Sequence, residues 1–448
     1  MHRITILGAG ESGVGAALLG RAHGHDVFVS SAHGIASRYK AQLERHGICF
    51  EEGQHTETMV LRADEVVKSP GISDKVHIVQ CIQRAGIPII DEVVLAGRYT
   101  QAPVVGITGT NGKTTTTHLL YHTLQAAGIV AELAGNVGQS FAKAVLHTSP
   151  ACWVIELSSF QLEYSQGLVP HIAIVLNITP DHLDRYESNF ERYIAAKLTW
   201  LGRMHTSGHV IYVQDDPVLA AHLRPHCTPA TLHPVRLAEM GCAERNLLTS
   251  CRLTGLHNAY NALAVIEAAR LLGAEANGIA RGLSSFVGRP HRMQQIAVIQ
   301  GVTYYNDSKA TNVDAVKAAL QACSTPVVWI AGGVDKGNDY TSLLALVRQK
   351  VRALVCLGRH NASLLGFFRN HVDHACSVED MQEAVRQAHF LAQSGDTVLL
   401  SPACASFDLF ENFAERGSCF EAAVLELEKH LVYDNVKKGG SRLAGSSS

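Results

Sequence analysis

The chain has 448 residues, 47% of them hydrophobic and 17% charged, with 38 Lys and Arg against 40 Asp and Glu. At roughly 100–200 residues per domain, that length gives two to four domains, and the apolar content excludes a chain disordered as a whole. A formal charge of -2 excludes a global basic field for nucleic acid, so any anionic ligand must be held by local devices.

Residues 1–7 (MHRITIL) run straight into a strand pattern, without the apolar length or cleavage site of a signal peptide. No stretch reaches the roughly 18 apolar residues that a membrane-spanning helix needs. The 11 Cys are scattered, with no C-x-x-C pair and no zinc-like spacing, as in a chain of reduced thiols. These features predict a soluble, cytoplasmic protein with no membrane insertion.

Short apolar runs alternate with amphipathic stretches from end to end, which predicts an α/β fold of parallel sheets flanked by helices. Strands are expected at 4–7, 27–29, 65–67 and 87–90. The first ends in Gly8-Ala9-Gly10-Glu11-Ser12-Gly13, a G-x-G-x-x-G that opens a helix over 14–20. Such a turn brings backbone N–H groups to a pyrophosphate at a helix N-terminus. A dinucleotide site also needs a carboxylate about 20 residues further on, at the end of the second strand. That strand ends Phe28-Val29-Ser30-Ser31 instead. NAD is disfavoured, and another diphosphate-bearing nucleotide is favoured.

A second set of strands is expected at 104–107, 152–157, 172–176 and 210–213. After the first of these comes Thr108-Gly109-Thr110-Asn111-Gly112-Lys113-Thr114-Thr115, which leads into a helix. Glycines expose N–H groups to phosphates, the Lys ammonium neutralises charge, and a hydroxyl reaches Mg²⁺. The spacing is a compact variant of G-x-x-x-x-G-K-[ST], with Ile107 where the first Gly would stand. It predicts binding of ATP or GTP. Glu156, in the strand-end run Glu156-Leu157-Ser158-Ser159, is a candidate metal carboxylate. Asp181-His182-Leu183-Asp184-Arg185 supplies a second candidate metal group and a candidate phosphate contact, Arg185. A third set follows the junction Gly288-Arg289-Pro290, with strands at 303–305, 327–330, 353–357 and 397–400. The expected domains are 1–98, 99–287 and 288–433, before a Gly/Ser-rich, disordered tail at 434–448.

These motifs, in this order, resemble the Mur ligase family of ATP-dependent amide-forming enzymes. To those above are added Gly135-Asn136-Val137-Gly138, Phe160-Gln161-Leu162, Ala195-Ala196-Lys197 and Gly255-Leu256-His257-Asn258 with Asn261. Pro290-His291-Arg292, residues 306–312 (NDSKATN) and residues 401–408 (SPACASFD) with Asn412-Phe413 and Arg416-Gly417 complete the pattern. The resemblance implies three domains: a Rossmann-like UDP-binding domain, a central P-loop ATPase-type domain and a C-terminal Rossmann-like domain.

The implied activity is the ATP-dependent addition of D-glutamate to UDP-N-acetylmuramoyl-L-alanine by a monomer, with two Mg²⁺ ions and a lysine carbamylated by CO₂ or bicarbonate. The resemblance assigns the UDP substrate to Gly10, Ser12, Ser30 and Ser31, although relatives often carry Asp where the two serines stand. It gives ATP residues 109–115, Asn258, Asn261, Arg292 and Asp307. It gives metal to Thr114, Glu156, His182 and the carbamylated Lys197, and it gives substrate contacts to Asn136, Ser158, Gln161 and Arg185. Lys309, Thr311, Lys336, Ser406, Phe407 and Phe413 fall to D-glutamate. Lys113, Asn136, His182, Lys197 and Arg292 are the implied catalytic groups.

Overall fold

The computed structural model describes residues 2–443 except Asp184, Thr206, Thr228, Pro229, Thr254 and Lys336, with backbone alone over 432–443. Three sheets follow one another along the chain. The first holds β1 (Arg3–Leu7), β2 (Asp26–Ser31), β3 (Cys49–Glu52), β4 (Glu65–Lys68) and β5 (Ile89–Ile90) in the order β3-β2-β1-β4-β5. All its pairings are parallel, and β1 is paired on both sides, Ile4 with Val27 and with Glu65. Strand order reverses between β1 and β4, so a crevice opens at their carboxyl ends.

The second sheet contains β6 (Val104–Thr108), β7 (Ala131–Gly135), β8 (Cys152–Glu156), β9 (Ile172–Val175), β10 (His209–Val213) and β11 (Thr231–Val235). Its order is β11-β10-β9-β6-β8-β7, all parallel. Central strands such as VVGIT and IAIV are buried on both faces, which explains why they read as unbroken apolar runs. The third sheet contains β12 (Gln294–Ile299), β13 (Val302–Asn306), β14 (Val327–Gly332), β15 (Val351–Leu357), β16 (His374–Val378) and β17 (Thr397–Ala403). Its order is β12-β13-β17-β14-β15-β16, with β12 alone antiparallel.

The chain forms two compact units, Met1–Leu253 with Asn258–Phe286, and Thr254–His257 with Val287–Ser448. The first unit contains two sheets over one continuous apolar core, in which Val14, Val94, Phe141 and Trp153 are all buried. Glu92 also joins them, accepting hydrogen bonds from Ser140 Oγ at 2.5 Å and the Ala142 amide at 2.8 Å. In the second unit separate apolar layers cover the two faces of the third sheet, around Trp329 and Leu354 on one and Tyr304 and Val398 on the other. The last helix is Phe413–Leu443; the expected tail overlaps its end, and 444–448 lie outside the described residues. Among the described residues no helix is long and apolar enough to cross a membrane, and all 11 cysteines are free.

Candidate active site

Sheet order assembles the nucleotide loop. β6 lies between β8 and β9, with Ile107 opposite Glu156 and Thr108 opposite Val175. The chain leaving β6 therefore emerges between a carboxylate and the 177–185 loop. Gly109 (φ 150°) and Gly112 (φ 87°) bend the loop back before the helix Lys113–Ala126. A Cβ on Gly112 would lie 2.6 Å from Asn261 Oδ1, so glycine is required for both conformation and space. Asn177 locks the loop: its carbonyl accepts from the Thr110 amide, its Oδ1 from the Asn111 amide, and its Nδ2 donates to the Asn111 carbonyl. Thr110 Oγ1 donates to the Thr179 carbonyl at 3.0 Å and lies 3.0 Å from the Tyr193 hydroxyl. Lys113 Nζ donates to the Gly109 and Thr110 carbonyls at 2.8 Å each. Thr114 and Thr115 follow in the half-buried first turn. Asn258 and Asn261 share one helix face, with Asn261 Nδ2 donating to Asn258 Oδ1 at 3.2 Å.

Glu156 is 2% exposed; Asn136 Nδ2 donates to its Oε1 at 2.7 Å, while its buried Oε2 has no hydrogen-bond partner. An orphaned carboxylate oxygen beside a phosphate-type loop and threonine hydroxyls is an oxygen-rich donor set, and it fits Mg²⁺. Lys197, 1% exposed, reaches in from the helix Phe190–Leu198 to donate to the Gly109 carbonyl at 2.8 Å. Burial, aided by the Lys113 charge, holds its amine well below the usual lysine range, against the pull of Asp181 and Glu156. His182 has a positive φ of 53°, and its ring lies against Phe160. Arg185 stacks over Phe160 and donates to the Pro70 carbonyl and Glu163 Oε2. Ser158 and Gln161 form a capping box, so each satisfies the other locally.

The first glycine loop stands at the β1/β4 crevice. Gly8 has a φ of 91°, and a Cβ on Gly13 would lie 2.0 Å from the Gly8 carbonyl. Gly10 is exposed and Ser12 half-buried on the helix Glu11–Ala22. Glu11, an acid within a loop of the anion-binding type, takes a hydrogen bond from the Tyr39 hydroxyl and faces Lys143 at 3.7 Å, which partly neutralises it. Ser30 is fully buried, donating to Glu51 Oε1 at 2.6 Å and lying 2.6 Å from His55 Nδ1. Ser31 Oγ donates to the His33 carbonyl.

In the second unit, β13 and β17 end side by side, Asn306 opposite Leu400. Their loops carry the remaining candidates. Asp307 accepts from the Met293 amide and from Ser401 Oγ at 2.9 Å, and burial raises its carboxyl to about 7, opposed by those bonds and by Arg292. The Lys309 ammonium lies 3.8 Å from the Phe413 ring centre, and the Thr311 amide donates to the Lys309 carbonyl. Ser406 is buried, whereas Phe407 is 72% exposed. Lys336 lies outside the described residues. Strained backbone gathers here as well, at His291 (φ 64°) and Ala403 (φ 61°).

Comparison with known proteins matches three family models in chain order: the MurD N-terminal domain at 3–78, the Mur ligase middle domain at 107–269 and the Mur ligase glutamate ligase domain at 291–404. A UDP-N-acetylmuramoylalanine–D-glutamate ligase of Bacteroides fragilis is 45% identical, covering 95% of this chain and 100% of that relative. A relative with the same name from Porphyromonas gingivalis is also 45% identical, covering 95% and 99%. The chain belongs to the Mur ligase family. A solved UDP-N-acetylmuramate–alanine ligase from Thermotoga maritima shares the three-domain α/β fold, with a TM-score of 0.58 at 18% identity, covering 95% of this chain and all of that one.

Three side chains of this Mur ligase had no role in the sequence reading. Asn177 follows β9 closely, but its double lock on Asn111 depends on β9 pairing with β6. Tyr193 covers Lys197, with the ammonium 4.9 Å from its ring centre. Arg416, 2% exposed, donates to Ser308 Oγ, the Ser308 carbonyl and the Cys404 carbonyl, tying the two loops of the third sheet together. Long-range bonds of this kind leave no local sequence signal.

Proposed function

We propose that this Mur ligase joins D-glutamate to UDP-N-acetylmuramoyl-L-alanine, in cytoplasmic peptidoglycan precursor synthesis, at the expense of ATP. The observation that carries the reading is the orphaned, buried Glu156 oxygen beside a glycine loop onto which Lys113 and Lys197 both converge. The names of the relatives supply the substrates. A carboxylate resists amines because its oxygen is a poor leaving group. Transfer of the ATP γ-phosphoryl group to the acceptor carboxylate, with ADP leaving, gives an acyl phosphate. The deprotonated D-glutamate amine adds to its carbonyl, and the tetrahedral intermediate loses a proton and collapses to amide and phosphate.

In this reading Gly109 to Gly112 present amides to the nucleotide phosphates, Lys113 exchanges its carbonyl partners for phosphate oxygens, and Asn258 and Asn261 face the base. Thr114, Glu156, His182 and a carbamylated Lys197 hold Mg²⁺, which, when bound, screens phosphate charge. Asn136 orients Glu156 and meets the acceptor, with Ser158, Gln161 and Arg185 around it. Gly10, Ser12, Ser30 and Ser31 serve the UDP end. Arg292 stabilises the transferred phosphoryl group and Asp307 the nucleotide ribose. Lys309, Thr311, Lys336, Ser406, Phe407 and Phe413 bind D-glutamate, whose two carboxylates need cations and N–H donors. The corresponding domains are 1–98, 99–287 and 288–433.

The test is phosphate release from ATP and Mg²⁺ with each substrate omitted in turn. Release that requires both substrates, with L-glutamate inert, is expected. Release from ATP alone would make the chain a hydrolase and overturn the reading.

A further inference from the structure

Away from the nucleotide loops, two helices of the first unit bring three metal-binding side chains together. Glu57 opens the helix Glu57–Val60, His77 opens the helix His77–Arg84, and Cys81 follows His77 by one turn. Side chains four apart share a helix face, so His77 and Cys81 point the same way. Their donor atoms and a Glu57 carboxylate oxygen all lie within 4.8 Å of one another. His77 Nε2 stands 3.4 Å from Cys81 Sγ and 3.6 Å from Glu57 Oε2. Tetrahedral zinc, with bonds of about 2.3 Å to sulfur and about 2.0–2.1 Å to nitrogen and oxygen, requires separations of about 3.6 and about 3.3 Å. The two separations to His77 come within about 0.3 Å of those values, and the third, between Cys81 and Glu57, is under 4.8 Å.

The scaffold holds them there. Val60 from the first helix and Ile78, Val79 and Ile82 from the second are buried in one apolar cluster with Leu7, Phe28 and Val66. Neither helix can turn without opening that cluster. Cys81 is 8% exposed, while the His77 and Glu57 side chains are 76% and 51% exposed. The thiol therefore forms the floor of a site open to solvent, with room for water as a fourth ligand.

We propose that Glu57, His77 and Cys81 form a surface site for a thiophilic divalent cation of the zinc class, stapling these two helices. On binding, the Cys81 S–H bond breaks, a sulfur–metal bond forms and the proton passes to water; no electron is transferred. A thiolate with an imidazole selects zinc over magnesium, so the site is chemically distinct from the oxygen-rich set at Glu156. The ion would close the segment from 57 to 77, which contains β4 and Ser69. Ser69 packs on Gly8, whose Cβ would lie 2.6 Å from its Oγ.

Co²⁺ is the probe, titrated into the reduced, metal-stripped full chain. A near-ultraviolet thiolate-to-cobalt band that saturates at one equivalent and is erased by Zn²⁺ is expected. Cys81→Ser should abolish the band, and Cys242→Ser, at an exposed thiol elsewhere, should leave it intact. His77→Asn and Glu57→Gln change exposed groups that the fold does not need, and each should weaken Co²⁺ binding about tenfold or more. These two variants decide the matter if Cys81→Ser does not fold. Absence of the band in the unaltered chain, its survival in Cys81→Ser, or unchanged affinity in both exposed variants would overturn the site.

Discussion

A lysine must be neutral to add to CO₂, and the surroundings of Lys197 favour that form. Burial and the nearby Lys113 charge lower its pKa, which favours the neutral amine that carries the lone pair. Once formed, a carbamate at this position would be an anion beside Lys113 and a bound divalent cation, which reverses the penalty the ammonium suffers. Activity should therefore fall severalfold in CO₂-depleted buffer at constant pH and recover with bicarbonate. Lys197→Ala should lose about 100-fold or more in kcat and show no bicarbonate response. Unchanged activity in depleted buffer would exclude the carbamate. Arg416 makes a different prediction. Its fork spans Ser308 and Cys404, and burial lowers its pKa to about 10. A lysine ammonium cannot span both loops. Arg416→Lys should raise the KM for D-glutamate about tenfold while leaving that for ATP nearly unchanged, which steady-state kinetics would show.

Between elements, Glu92 is the group to test. It caps the contact between the first two sheets with no ion pair to a cation among the described residues, and burial lifts its carboxyl from 4.5 to about 7. Between those values the folded chain holds a proton that the unfolded chain has released. The contribution of Glu92 to stability therefore falls as pH rises from about 4.5 to about 7, and stays low above. Glu92→Gln should be close to neutral at pH 5 and stabilising by on the order of 2–3 kcal/mol at pH 8, as read by urea unfolding. Equal effects at the two pH values would refute this.

Elements also show where sequence reading stops. The strands absent from the expected set are β3, β7, β11, β12 and β16, and every one lies at a sheet edge. Burial on one side alone leaves segments such as CFEE, TLHPV and HACSV without the apolar run that marks a central strand. The glycine loops were legible because their residues are contiguous and their chemistry is local. The engagement of Ser30 with Glu51 and His55 was not, since it needs β2 paired with β3.

At the scale of the whole molecule, the proposed reaction divides its groups between two compact units. The glycine loop, Glu156 and Lys197 belong to the first unit, and Arg292, Lys309 and Thr311 to the second. In the proposed reaction Arg292 meets the phosphate, and the D-glutamate amine meets the acyl carbon. The proposal therefore predicts that ligand binding brings the two units together, with the chain around 288–290 absorbing the change. Gly288, at φ 61°, occupies a conformation proline cannot adopt. Solution scattering of the full chain should show a smaller radius of gyration with Mg²⁺, a non-hydrolysable ATP analogue and UDP-N-acetylmuramoyl-L-alanine than without them. Gly288→Pro should lower kcat about tenfold or more and weaken nucleotide affinity less, because the glycine loop lies in the first unit and only Arg292 and Asp307 reach the nucleotide from the second. Identical scattering in the two states, or full turnover in Gly288→Pro, would place the moving segment elsewhere or remove the need for one.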